Sequence, residues 1–288
     1  MIKMVEKIHI TTLVDDSVDM EHPNILAKHG LALFIEVYFN EKEKINILMD
    51  TGPSPDVILH NTNEMNIDIK KIDIIVISHA HYDHTGGLIE ILKQINRKTL
   101  IVMHPNCLDL KFAEKPYLRY IGIPFKISEI EEAGGILLLS RKPVKITPEI
   151  IVSGEIERVN EYEKVEGFLT LKNYEIIKDD LLEDQALFIK INGKGLVIIT
   201  GCAHSGIINT IEYAKKITGL NKIYAILGGF HLINAEEERI KATINELRRI
   251  NPEKIMPCHC TGQKAIIEFI KDFKDKCIPI QAGKSIEL

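Results

Sequence analysis

The stretch Ser78-His79-Ala80-His81-Tyr82-Asp83-His84-Thr85-Gly86-Gly87 constrains this 288-residue chain more than any other. It follows directly on the apolar run Ile72–Ile77 and precedes a helical pattern in which Leu88, Ile91, Leu92 and Ile95 share one face. Four potential metal ligands therefore fall within six residues at a strand-to-helix junction, where Thr85 is expected to cap the helix. His79 and His81 are two residues apart, so an extended segment points both imidazoles the same way. Asp83 and His84 sit on the turn and can face a second position a few ångströms off. Imidazole with carboxylate is the donor set of borderline divalent ions, chiefly Zn, Mn and Fe. A helix N-terminal acid and ordinary loop histidines would account for any one of these residues, but poorly for the cluster.

Around this junction the chain alternates β-rich runs with helical patterns. The expected strands are Lys7–Val14, Leu31–Phe39, Ile45–Met49, Ile72–Ile77, Thr99–Met103, Ala186–Ile191, Leu196–Thr200, Ile223–Leu227 and Lys254–Met256. Several are apolar throughout, as strands covered on both faces should be. Asn234 with Glu237 reads as a capping box for a helix burying Ile240, Ile244 and Leu247. Thr261 is expected to open another helix, burying Ala265, Ile266, Phe269, Ile270 and Phe273. No Ser/Gly/Pro-rich linker divides the sequence, so residues 1–288 read as one domain, with a less regular insertion or crossover near 104–150.

Composition excludes several classes. The 36 Lys+Arg against 41 Asp+Glu give a net charge of −5, which argues against a broad basic surface for nucleic acid or anionic membrane. The longest uncharged run, Gly195 to Ile211, is interrupted by Gly, Cys, His and Asn and is too short to span a bilayer. Lys3, Glu6 and Lys7 occupy the place of a signal peptide's apolar block. Five cysteines without a secretion signal point to a reducing cytosol rather than a disulfide framework. Oligomeric state is not legible here.

The strand–HxHxDH–helix arrangement resembles the metallo-β-lactamase superfamily. That resemblance implies a four-layer αββα sandwich with a metal centre at one edge. Leu48-Met49-Asp50-Thr51-Gly52 resembles its strand-end Asp motif, Ile198-Ile199-Thr200-Gly201-Cys202 its later ligand strand, and Ile255-Met256-Pro257-Cys258-His259 its final His motif. The family's third motif has a His where Asp180–Gln185 has none, and His204 is the expected substitute. Cys202 stands in the slot of a bridging Asp, either as a thiolate ligand or as a buried small residue. By implication one metal takes His79, His81 and His204, and a second takes Asp83, His84 and His259. Cys202 would lie near both and Asp50 would position a ligand or its loop. His259 sits between Cys258 and Cys260, and on a strand-like path its imidazole points opposite to the thiols, which favours it as the ligand.

The combination of Asp50 through Ser54, His79 through Leu88, Thr200 through His204, Gly228 through Leu232 and Pro257 through Gly262, with His29-Gly30, is similar to a subgroup. This is the dihydropterin-methyl-(ribofuranosyl)aminobenzene phosphate synthase group. It implies condensation of dihydropterin-methyl diphosphate with ribofuranosylaminobenzene phosphate, releasing diphosphate, in tetrahydromethanopterin biosynthesis, and it adds Mg to the candidate ions. The same ligands would equally serve a hydrolase of a phosphodiester or lactone, and a non-catalytic metal-dependent sensor is the reading from another class. His231, after two glycines that permit close backbone approach to a ligand, is the candidate to bind phosphate or move a proton. His29 is a candidate pocket wall. Lys111 and Arg119 are the candidates to bind anionic, phosphorylated small-molecule substrates.

Overall fold

The computed structural model describes residues 3–288. Two sheets face each other. One has seven strands in the order Ser285–Glu287, Lys7–Val14, Ala32–Asn40, Glu43–Met49, Ile74–Val76, Thr99–Met103 and Gly135–Leu139. The other has six, in the order Lys254–Cys258, Ile223–Gly229, Gly195–Thr200, Ala186–Ile191, Ile150–Val152 and Val144–Thr147.

Alternation of side chains along each strand divides the apolar residues between an inner and an outer layer. Ile47, Met49, Leu187, Ile189, Val197 and Ile199 turn inward and pack between the sheets. Leu48 and its neighbours turn outward against helices Pro55–Glu64, Leu88–Ile95 and Ile127–Glu132. Phe188, Leu196 and Ile198 pack outward under helices Ile207–Thr218, Glu237–Ile250 and Gln263–Phe273. Burial on both faces is why these strands read as unbroken apolar runs. The chain thus has the layered αββα form implied by its sequence resemblance.

Three helix starts differ from expectation. Thr85 ends a short helix, Tyr82–Thr85, its hydroxyl donating to the His81 carbonyl at 3.1 Å, and Gly87 precedes Leu88–Ile95 instead. Asn234 stays in the preceding turn, since Glu236 occupies the N-cap position before Glu237. Thr261 belongs to a 3-10 turn, His259–Thr261, whose hydroxyl accepts the Phe230 N–H at 3.0 Å. The helix behind it begins at Gln263 and buries Ala265 and Phe269, while Ile270 stays exposed.

The irregular region is also narrower than 104–150. Ile127–Glu132 and Gly135–Leu139 belong to the main layers, and Gly135–Leu139 pairs in parallel with Thr99–Met103. What stands apart is a four-stranded sheet, Glu175–Lys178, Phe168–Lys172, Lys111–Ala113 and Arg119–Tyr120, which brings residues 111–120 and 168–178 together over the site.

The candidate metal centre

Parallel pairing brings the carboxyl ends of strands from both sheets to one edge. Glu43–Met49 runs parallel to Ile74–Val76, and Gly195–Thr200, Ile223–Gly229 and Lys254–Cys258 run parallel to one another. Asp50, His79, Cys202, His231 and His259 all follow these strand ends. Asp50, Ala203, His231 and His259 have φ of 61°, 51°, 46° and 47°, left-handed conformations that turn the chain sharply off its strand and are held only where packing imposes them.

Two clusters converge there. Ligand atoms of His79, His81 and His204 lie within 4.8 Å of one another, as do those of Asp83, His84 and His259. His79, His84 and Cys202 form a third group by the same measure, with the Cys202 Sγ 3.2 Å from His84 Nε2. Two of the imidazoles are oriented by fully buried groups. The Ser78 hydroxyl donates to Asp50 Oδ2 at 2.6 Å and so accepts from His79 Nδ1–H at 2.9 Å. His84 Nδ1–H donates to the same Asp50 oxygen at 2.6 Å, and Asp50 Oδ1 takes the Ser78 N–H at 2.7 Å. His259 Nδ1–H donates to Asp16 Oδ1 at 2.8 Å. In His79 and His84 that tautomer leaves Nε2 as an acceptor facing inward, whereas in His259 burial pushes downward but Cys260, Asp16 and Asp83 outweigh it and hold the imidazole well above its ordinary range.

The ring nitrogens converge on one another. His79 Nε2 is 3.0 Å from His81 Nδ1 and 3.3 Å from His204 Nε2. His84 Nε2 is 3.3 Å from His259 Nε2, and both lie about 3.5 Å from Asp83 Oδ2. Imidazole nitrogens and a carboxylate gathered at this spacing are the donor set of a divalent cation, with the partners behind the rings fixing ring orientation. His81 Nε2, His204 Nδ1 and His231 Nδ1 are buried with no hydrogen-bond partner among the described residues. Burial pushes His81 down to about 3, and burial together with neighbouring histidines holds His79 and His204 well below the usual imidazole range, so all three are neutral. For Asp83, burial pushes upward but His84, His259 and His81 outweigh it and keep the carboxylate ionised. The residues therefore fit divalent ions.

Beside the clusters lies a pocket of about 260 Å³ whose walls include His29, Arg119, Ile121, Phe168, His231 and Ile233. His29 is tied to Asp16 at 3.1 Å and lies 3.4 Å from Asp83. His231 stands 4.2 Å, centroid to centroid, from His204. Its two preceding glycines face protein rather than a ligand: a Cβ on Gly228 would come within 2.2 Å of the Thr200 carbonyl, and one on Gly229 within 2.5 Å of the Cys260 sulfur. The strand-like argument for His259 also fails, because its 3-10 turn brings Cys260 onto the pocket wall as well, where its sulfur lies with Cys202 and His231. Cys258 is buried in the core between the sheets.

Lys111 is not available to a substrate. It is buried, with its ammonium 2.8 Å from Asp179 and 2.7 Å from Glu183. Those two acids neutralise it, and burial pushes Glu183 up to about 7 even so. Arg119 does reach the pocket wall.

Sequence reasoning missed three carboxylates. Asp15 accepts the His259 N–H at 2.8 Å, and Asp16 orients both His259 and His29. Asp184, in the stretch that lacks the expected His, accepts the Ser205 N–H at 2.8 Å and so pins the loop carrying His204. The one available signal was position: Asp15-Asp16 ends an apolar strand just as Asp50 does.

Residues 30–216 match the metallo-β-lactamase superfamily model. The chain is 40% identical over 98% of its length, and 97% of the relative's, to the 7,8-dihydropterin-6-methyl-4-(β-D-ribofuranosyl)-aminobenzene-5′-phosphate synthase of Methanocaldococcus jannaschii. It is 36% identical to an uncharacterised protein of the same archaeon, over 89% of this chain and 92% of that one. The crystal structure of Tm1679, a metal-dependent hydrolase of the β-lactamase superfamily, superposes with a TM-score of 0.81 at 28% identity, covering 98% of this chain and 99% of that one. Fold, clustered ligands and full-length likeness agree: the chain belongs to the metallo-β-lactamase superfamily, in the family that contains the archaeal synthase.

Proposed function

We propose that this chain is a metal-dependent transferase that condenses dihydropterin-methyl diphosphate with 4-(β-D-ribofuranosyl)aminobenzene 5′-phosphate and releases diphosphate, a step of tetrahydromethanopterin biosynthesis. The observation that carries the reading is the 40% identity to that synthase along essentially both whole chains. Two divalent ions, drawn from Zn, Mn, Fe or Mg, would be held by His79, His81 and His204 and by Asp83, His84 and His259, with Cys202 between. Such ions supply positive charge for a departing diphosphate.

The chain's own residues do the rest. In the transfer, the arylamine nitrogen forms a bond to the pterin methylene, the methylene–oxygen bond breaks, and diphosphate leaves with the electron pair. The proton shed by the nitrogen is taken up by His231, which lines the pocket beside His204. Arg119, on the same wall, offers a guanidinium fork to phosphate oxygens. Phe168, Ile121 and Ile233 line the pocket with apolar surface, which lowers the water available for competing hydrolysis. Asp50, Ser78 and Asp16 hold the imidazoles in the tautomers that binding requires. His231→Ala is expected to lower turnover with metal content unchanged, and loss of metal from that variant would place His231 among the ligands.

The test is a product analysis by mass. Metal-replete protein receives dihydropterin-methyl diphosphate with and without the arylamine phosphate. Condensed product formed only with both substrates supports the transferase. Hydroxymethyl-dihydropterin formed regardless of the amine supports the second reading, hydrolysis at the same centre, which the likeness to a metal-dependent hydrolase favours. A pocket open beside the ligands runs against a non-catalytic sensor.

A further inference from the structure

The metal-side pocket, at about 260 Å³, is small for two phosphorylated aromatic substrates, but a groove of about 760 Å³ adjoins it. Tyr82 and Arg119 line both. Tyr82 is the one position in His81-Tyr82-Asp83-His84 that offers nothing to a metal. Its flanking residues are buried, whereas Tyr82 is 40% exposed and stands at the junction of the groove and the metal-side pocket. Its N–H donates to the carbonyl of Ile121, between the groove residues Tyr120 and Gly122, at 2.8 Å.

The rest of the groove presents rigid aromatic surface. Tyr120 is 46% exposed although its ring is fixed, by a hydroxyl donating to the Ile123 carbonyl at 2.8 Å and by Phe112 edge-on at 5.7 Å. Gly122 lies against the hydroxyl end of that ring, where an added Cβ would come within 2.7 Å of the hydroxyl oxygen and 2.9 Å of Cζ. Phe125, Pro53 and Pro124 complete the apolar lining. Lys126 lines the groove and not the metal-side pocket, as does Glu129, one of whose carboxylate oxygens accepts the Lys126 backbone N–H at 2.8 Å.

We propose that this groove binds the arylamine phosphate, with its benzene ring against Tyr82 and Tyr120, its phosphate at the Lys126 ammonium and its amine directed past Tyr82 toward the metal-side pocket. The assignment rests on the transferase reading. Diphosphate belongs with the metal ligands, so the pterin half occupies the metal-side pocket, and the groove matches the other partner: a flat ring with one anionic group at the end remote from the reacting atom. Fixed exposed aromatics suit a ring at low conformational cost.

The experiment is steady-state condensation with each substrate varied in turn, using the arylamine both with and without its 5′-phosphate. Lys126→Glu is expected to raise KM for the phosphorylated arylamine about tenfold, leaving KM for the pterin diphosphate and for the dephosphorylated arylamine unchanged. Phe125→Ala is expected to raise KM for both forms of the arylamine, with metal content and far-UV circular dichroism as in the wild type. If the wild type condenses normally and Lys126→Glu instead raises KM for the pterin diphosphate, or changes neither, the groove assignment is overturned and the transferase stands. If the wild type forms no condensed product, the transferase falls and the assignment falls with it.

Discussion

Asp50 orients two candidate ligands, His84 directly and His79 through Ser78, from one buried carboxylate. Its oxygens accept from the Ser78 N–H, the Ser78 hydroxyl and His84 Nδ1–H, and Ser78 in turn fixes His79. Asp50→Asn would replace one of these acceptors with a donor, so metal affinity is expected to fall about 10–100-fold. Competition with a chromogenic chelator checks this, and unchanged affinity would remove Asp50 from the orienting role. Lys111 makes the opposite point, that charge in a chemically interesting neighbourhood can be structural. Lys111→Ala leaves Asp179 and Glu183 buried without their cation and is expected to cost about 3–5 kcal/mol, read by urea unfolding. Adding Glu183→Gln and Asp179→Asn should recover much of the loss; no recovery would mean that packing of the alkyl stem was the larger part. That His79, His81, Asp83 and His84 gather at one place was legible because their spacing is improbable by chance. The carboxylates behind them were not, because Asp15, Asp16 and Asp184 look like ordinary loop acids until the fold brings them against His259, His29 and the His204 loop.

At the scale of elements, the long strands were legible since both faces are buried and leave apolar runs. Thr99–Met103 and Ala186–Ile191 have the bounds their hydrophobicity suggests. The third sheet was not legible. Its strand Glu175–Lys178 is exposed along its whole length, and Arg119–Tyr120 is only two residues, so neither carries a burial pattern. Helix starts misled where a side chain of capping type had another partner, as Thr261 does with the Phe230 N–H. The helix Ile207–Thr218 has its start satisfied from a distance instead. Glu163 accepts the Ile208 N–H at 2.9 Å and the Asn209 N–H at 2.8 Å, with Asn160 holding its carboxylate. Glu163→Ala leaves two buried donors unpaired, for an expected loss of about 1–3 kcal/mol each at most. Thermal unfolding measures it, and a loss below about 0.5 kcal/mol would show that water replaces the carboxylate.

Across the whole molecule, the candidate ligands divide between the two sheets. His79, His81, Asp83 and His84 come from the seven-stranded side, and Cys202, His204 and His259 from the six-stranded side. An ion held by either candidate cluster would therefore bridge the seam. An ion at roughly 1,000 times its dissociation constant adds about 4 kcal/mol to the folded state, and for a chain this size each kcal/mol moves Tm by about 1.7 °C. Chelation is thus expected to lower Tm by about 7 °C in calorimetry, and an unchanged Tm would deny the bridge.

That division also sets an order of events while the chain is being made. The loop from His79 to His84 emerges more than a hundred residues before His204, and His259 emerges later still. Until then the first half presents histidines and a carboxylate that no partner completes. A correctly loaded centre is consequently a late acquisition, and the last strands to leave the ribosome, rather than the signature loop itself, decide when an ion can be kept.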